Sequence, residues 1–307
     1  MVSISTPLSQ PNRIRPLVVW ALAAALTGGC TEGERSDPQG STPTSPSEQV
    51  RGDADVENRS EANALPAAKD LLAESVEALG GADKLKAIHS YHTVSKIEIE
   101  GQGISGTAHT WWRDGDFFVE TNIAGVGKMR QGSQGGKIWN DDPINGPRTL
   151  TGIEAEQSAW STSRSLPLDW EKYFKSAETT EITEIDGTQV AVITFISASG
   201  DEVILRLDMA TKIPHSQSFK QANPLGAMPV TVTFADFRDV EGTKVAFKQI
   251  VDATLTKMTS VNEELEVNVE VKDELFAPPG PKAIKLPEEA AEQPTPAEPE
   301  ADPKAKK

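Results

Sequence analysis

The sequence predicts a mainly β fold (α+β, with helices in the minority) built on a large antiparallel sheet. Three observations carry that expectation. From Tyr91 onward most segments alternate apolar and polar residues, which puts one class on each face of a strand. Asp114-Gly115, Asp186-Gly187, Ser199-Gly200 and Glu241-Gly242 fall between such segments as hairpin turns. The last segment, Val261–Leu275, is the most regular. Val261, Leu265, Val267, Val269, Val271 and Leu275 share one parity, while Asn262, Glu264, Glu266, Asn268, Glu270 and Lys272 take the other. A strand of that length would span on the order of 45 Å at ~3.3 Å per residue, so it calls for long neighbours.

The two ends read differently. Residues 1–29 contain Arg13 and Arg15, no acid, and the apolar run Leu17–Leu26. A basic flank, a short apolar core and small residues form an export signal; about ten apolar residues are too few for a membrane span, which needs ~20. Cys30 is the only cysteine, so no internal disulfide can form. Leu26-Thr27-Gly28-Gly29-Cys30 resembles the lipobox of bacterial lipoproteins, which implies acylation of Cys30 and attachment to a membrane through a lipid anchor. Thr31 rather than Asp after that cysteine resembles lipoproteins sent to the outer membrane, facing the periplasm. Residues 30–64, rich in Ser, Thr, Pro, Gly and acids, read as a disordered tether, and residues 280–307, rich in Pro, Ala, Glu and Lys, as a disordered tail. The folded domain is expected over 65–279.

Within it, Ala68, Leu72, Val76 and Leu79 recur at helical spacing after Pro66, and Gly80-Gly81 stop the helix. A short helix is expected at Asp83–Ile88. Strands follow at Tyr91–Glu100, Ile104–Arg113, Asp116–Ile123, Gly127–Gly132 and Lys137–Asn140, with a weak one at Pro147–Leu150. Thr151 and Glu154 have the spacing of a capping box, opening a helix over Ile153–Ser163. A second helical piece starts at Pro167, with Trp170, Tyr173 and Phe174 at core spacing. Strands resume at Thr179–Ile185, Gln189–Ser197, Glu202–Asp208, Ile213–Gln221, Met228–Asp239, Thr243–Thr256 and Val261–Leu275. Strands succeed strands with little between them, so a meander is the simplest topology.

About eleven strands offer one apolar face each, with few helices to cover them, and so much apolar area cannot stay in water. The sheet can fold over as a sandwich, close into a barrel, or curl around the helices and leave an apolar cavity. Several stretches resemble the LolA/LolB-like, outer-membrane lipoprotein-sorting-like superfamily. They are Ala78–Leu85 (ALGGADKL) with Ile88, the hairpin Trp112–Val119, Leu205–Pro214 (LRLDMATKIP), Gly242–Phe247 (GTKVAF) and Leu275–Pro279 (LFAPP). The resemblance implies a half-barrel, a curved antiparallel sheet wrapped around two or three helices. It further implies an apolar cavity for lipid or the acyl chains of lipoproteins, and no catalytic residues. By parity, Leu205, Val232, Phe234, Phe247, Leu265, Val267 and Val269 are the candidate cavity residues.

Other chemistries find little support. The net charge of −16 repels nucleic acid. His89 and His92, three apart, would face opposite ways on a strand, His109 and His215 are single, and Asp141-Asp142 are expected in a loop, so no metal site is expected. No Gly-x-Ser-x-Gly or phosphate-binding glycine loop is present, and neither enzymatic activity nor a cofactor is expected. A lipid or lipoprotein carrier is the leading function. A regulatory module that binds an envelope protein partner, or a structural envelope lipoprotein, are the alternatives.

Overall fold

The computed structural model describes residues 65–280 apart from 224–225 and 254–255. The expected export signal, Cys30, the tether and all but the first residue of the tail lie outside the described residues.

The chain opens with α1 (Ala68–Ala78) and α2 (Ala82–Lys86). Ala68, Leu71, Leu72, Ser75 and Val76 are the buried positions of α1, one stripe at helical spacing. Six strands follow: β1 (Ser90–Ile99), β2 (Ile104–Arg113), β3 (Asp116–Ile123), β4 (Gly127–Gln134), β5 (Lys137–Asp142) and β6 (Gly146–Thr149). Two helices, α3 (Gly152–Ser161) and α4 (Leu166–Tyr173), lead to β7 (Phe174–Ile185), β8 (Thr188–Ser197), β9 (Glu202–Asp208), β10 (Pro214–Asn223), β11 (Gly226–Val240), β12 (Thr243–Asp252) and β13 (Lys257–Val267).

All thirteen strands form one open antiparallel sheet in the order β6-β5-β4-β3-β2-β1-β13-β12-β11-β10-β9-β8-β7. It is not the single meander expected. Two meanders meet where the first strand pairs with the last, Tyr91 opposite Val267 and Ile99 opposite Met258. The reason lies in the connection between the two edges. The chain reaches β6, crosses one face of the sheet as α3 and α4, and restarts at β7 on the far edge, so the same segment that links the edges covers the apolar face. Leu71 and Leu72 of α1, Trp160 of α3 and Leu166 of α4 join Ile97, Ile193, Leu205 and Val232 of the sheet in one core. The architecture is a curved sheet wrapped around helices.

Three local expectations fail for identifiable reasons. The Val261–Leu275 strand ends at Val267, because Asn268 turns the chain with φ 54, a left-handed conformation that asparagine tolerates. Its side chain accepts the His89 N–H at 2.9 Å. Within β13 the register against β1 shifts between Glu264 and Asn262, leaving Glu263 as a bulge. Leu265 and Val267 therefore share the face of Thr93 and Tyr91, but Val261 sits beside Lys96 on the other face. Thr151 forms no side-chain cap on α3; Glu154 instead takes two bonds from the Arg148 guanidinium, at 2.7 and 2.8 Å. Phe174 belongs to β7 rather than to α4, with its ring 4.9 Å from that of Phe195.

Candidate ligand-binding cavity

The apolar face of the sheet and its helices form a half-open cavity of about 80 Å³. Leu79 and Leu85, from the ends of α1 and α2, form one wall. Arg164, Ser165, Leu166 and Pro167, where α4 begins, form a second. The sheet supplies Leu205, Gln217, Phe234, Phe237, Val245 and Ala246, with Lys244 at the exposed rim.

A close contact between two turns builds one end of this space. The Lys244 N–H donates to the Leu79 carbonyl at 2.9 Å. Gly80 has φ +120, and a Cβ there would lie 2.4 Å from the Gly242 carbonyl oxygen. Glycine is needed twice over, for the backbone conformation and for the close approach. The two stretches quoted for the family resemblance, ALGGADKL and GTKVAF, therefore meet each other at the cavity.

The wall is not uniformly apolar. One rung of the sheet runs Ile193, Leu205, Gln217, Val232, Val251, Met258 and Ile99 across seven strands. Gln217 is the single amide in that apolar row; it is 1% exposed, and neither Oε1 nor Nε2 has a partner among the protein atoms. The buried Ser165 Oγ and Arg164 Nε are equally unpartnered. An unpaired buried polar group of this kind costs roughly 1–3 kcal/mol. The other Arg164 nitrogens are loosely held: Nη1 lies 3.5 Å from the Ile88 carbonyl and Nη2 3.8 Å from Asp169 Oδ1, while the guanidinium sits 5.8 Å from the Trp112 ring centre. Arg164 and Lys244 are the charged residues of the lining, which holds no carboxylate, in a chain whose net charge is −16. Nearby, Tyr91 is fully buried with its hydroxyl unpartnered; burial pushes its pKa well above the usual tyrosine value, against a smaller lowering effect of Arg164.

Of the seven residues expected to line a cavity, Leu205 and Phe234 do so, and Val232 lies in the same core. Phe247, Leu265 and Val267 pack in an adjoining cluster with Tyr91, Trp112 and Val245. Val269 goes elsewhere. Beyond the turn at Asn268 it packs with Trp111, Phe118, Trp139, Val271 and Phe276. Trp111 and Phe118 are paired and alternate with Trp112 and Phe117, so this cluster covers the opposite face of the sheet. Gln217, Ser165 and Arg164 escaped the sequence reading. Gln217 sits between Ser216 and Ser218, and the one sequence signal that marks it as inward is the parity it shares with Phe219.

On the opposite face, His92 Nε2 lies 3.4 Å from His109 Nδ1, and His92 stacks on Trp111 with ring centres 4.4 Å apart. Burial, with His109 second, lowers the His92 pKa from the ordinary histidine value, opposed by Glu266 and Glu264. His89 instead meets Asp114, at 3.2 Å. Among the described residues no group of three or more His, Cys, Asp or Glu side chains is placed to hold a metal ion. No helix among them is long and apolar enough to cross a membrane.

No protein-family model matches the chain. No curated protein matches it. Solved structures do. A LolA superfamily protein from Nitrosomonas europaea matches with a TM-score of 0.48 at 12% identity, over 69% of this chain and 98% of that one. A putative outer membrane lipoprotein-sorting protein domain from Vibrio parahaemolyticus gives 0.45 at 13% identity, over 68% and 95%. A DUF1329 family protein from Desulfovibrio piger gives 0.47 at 14% identity, over 68% and 97%.

Proposed function

We propose that this chain is an exported envelope lipoprotein, anchored to the outer membrane through Cys30, that binds lipid or lipoprotein acyl chains between the helices and the sheet. The cavity carries the proposal: Leu79, Leu85, Leu166, Leu205, Phe234 and Val245 present apolar surface to a space that the core does not fill. Interiors otherwise pack with few voids larger than a water molecule, so an apolar cavity at the junction of two layers is where a ligand is expected.

At about 80 Å³ it is smaller than the ~300–1,000 Å³ of typical small-molecule sites. It admits one end of a chain as it stands.

Titration of the full chain with a fluorescent fatty acid tests this reading. Saturable binding, weakened by Ala246→Leu in the cavity wall, is the expected result. A chain that binds no acyl probe but retains a stoichiometric envelope protein would overturn it in favour of a protein-binding module.

A further inference from the structure

Resting on acyl binding at this cavity, we infer that the ligand is held by a carboxylate head, and that Gln217, Ser165 and Arg164 are the subsite that receives it, with Lys244 at the rim.

The protein's own structure leaves these atoms without a role. Gln217 stands opposite Leu205 on one side and Val232 on the other, in a row that packing alone would fill with an apolar residue. Both ends of its amide are unpartnered, so exchanging O and N leaves it equally unsatisfied. Ser165 Oγ and Arg164 Nε complete a set of four unpaired atoms contributed by three residues of one lining. Two of the four, Gln217 Nε2 and Arg164 Nε, are donors; Ser165 Oγ can act as donor or acceptor, and Gln217 Oε1 accepts. A site richer in donors than in acceptors matches a head group that only accepts. A carboxylate does so through two oxygens, and hydrogen bonds to an ionised acceptor are roughly twice as strong as neutral ones.

Charge points the same way. Asp and Glu outnumber Lys and Arg by 46 to 30 over the chain, yet the lining holds two cations and no acid. The guanidinium is available: its nearest oxygen partners are at 3.5 and 3.8 Å, both long for a charged hydrogen bond, so a carboxylate can take it without breaking a short one. The small volume fits as well. About 80 Å³ suits a head group and the first carbons, with Leu79, Leu205 and Phe234 as their apolar contacts.

The test is displacement of a neutral apolar fluorophore, N-phenyl-1-naphthylamine, from the full chain by dodecanoate and by methyl dodecanoate. The two share one tail and differ in the charge of the head. Dodecanoate should displace the probe at a concentration roughly tenfold lower, the equivalent of one good charged hydrogen bond. Gln217→Leu should bring the two ligands together, and Ser165→Ala should narrow the gap. Gln217→Leu without ligand should melt at or above the wild type, which separates a lost subsite from a lost fold. Equal displacement by acid and ester in the wild type overturns the carboxylate subsite and leaves acyl binding standing. An undiminished preference for the acid in both variants overturns the assignment of these residues. Displacement by neither ligand, with no binding of a fluorescent fatty acid, removes the acyl reading and the subsite with it.

Discussion

Leu79 and Lys244 are joined by one backbone hydrogen bond of 2.9 Å, and that bond fixes how the helical layer meets the sheet. It ties the corner after α1 to the hairpin between β11 and β12, with Gly80 pressed against Gly242 beneath it. Gly80→Ala should therefore be costly out of proportion to its one methyl group. The left-handed backbone contributes about 1–2 kcal/mol and the clash with a carbonyl oxygen about as much again, for roughly 2–4 kcal/mol in urea unfolding. A loss below about 1 kcal/mol would show that the two turns do not approach this closely.

The segment after Asn268 is a strap over the face opposite the helices. Phe276 is fully buried, its carbonyl accepts the Trp139 indole N–H at 2.9 Å, and the Arg113 guanidinium lies 5.0 Å from its ring centre. Arg113 also donates to the Val271 carbonyl at 2.6 Å. Phe276→Ala should destabilise the domain by about 3–5 kcal/mol, like a core aromatic, although it lies only four residues from the expected tail. Calorimetry on the variant measures this directly, and a shift of a degree or less would mean the strap does not pack.

Much of this fold was legible in the sequence, and the failures share a cause. Ile104–Arg113, Asp116–Ile123 and Glu202–Asp208 were read at their observed limits, because alternation within one strand is local information. The bulge at Glu263 leaves one trace, an acid on the apolar parity between Val261 and Leu265, but only the pairing of Glu264 with Val94 and Asn262 with Ser95 identifies it as a bulge. The β1–β13 junction and the His92–His109 pair likewise depend on which strands lie side by side. Leu205 and Phe234 border the pocket, and their apolar parity is what the sequence could offer for such a wall. Gln217 shares the parity of Phe219, but its place as one amide in an apolar row becomes plain once its rung partners Leu205 and Val232 are known.

His92 should make stability depend on pH. Its folded pKa is lowered, by burial first and by His109 second, so the folded state favours the neutral ring. Between that folded value and the unfolded value of about 6.5 the unfolded chain binds more protons, and stability rises with pH. The contribution is complete above about pH 6.5 and is lost as pH falls through the folded pKa. Melting temperatures from pH 7.5 down to 5 should fall faster for the wild type than for His92→Phe, which keeps the stack on Trp111. Parallel slopes for the two proteins would show that His92 does not titrate in this way.

Anchoring is decided at one atom. If the Cys30 thiol carries the lipid, metabolic labelling with a fatty-acid analogue marks the wild type and not Cys30→Ala, and the variant leaves the membrane fraction. A thioether-linked lipid with a further N-acyl chain supplies more than the single chain that gives only marginal attachment. Equal labelling of both proteins would place the modification elsewhere or deny it.

The sharpest separation of function from packing compares two neighbours on one rung, Leu205 and Gln217. Both are buried to within 1% exposure and both touch the cavity. Leu205→Ala removes core contacts and should cost about 2–5 kcal/mol. Gln217→Leu replaces two unpaired polar atoms with an apolar group of similar size and should gain stability, by about 1–3 kcal/mol if the new side chain fits without strain. A residue that weakens the empty protein but strengthens it with ligand bound is expected of a binding site. In saturating dodecanoate the order of wild type and Gln217→Leu should narrow or reverse, because a ligand that binds only the folded state stabilises in proportion to its affinity. Thermal melts of the full chain with and without dodecanoate measure both differences. If Gln217→Leu loses stability in the empty protein as Leu205→Ala does, Gln217 is a satisfied core residue and the cavity has no polar subsite.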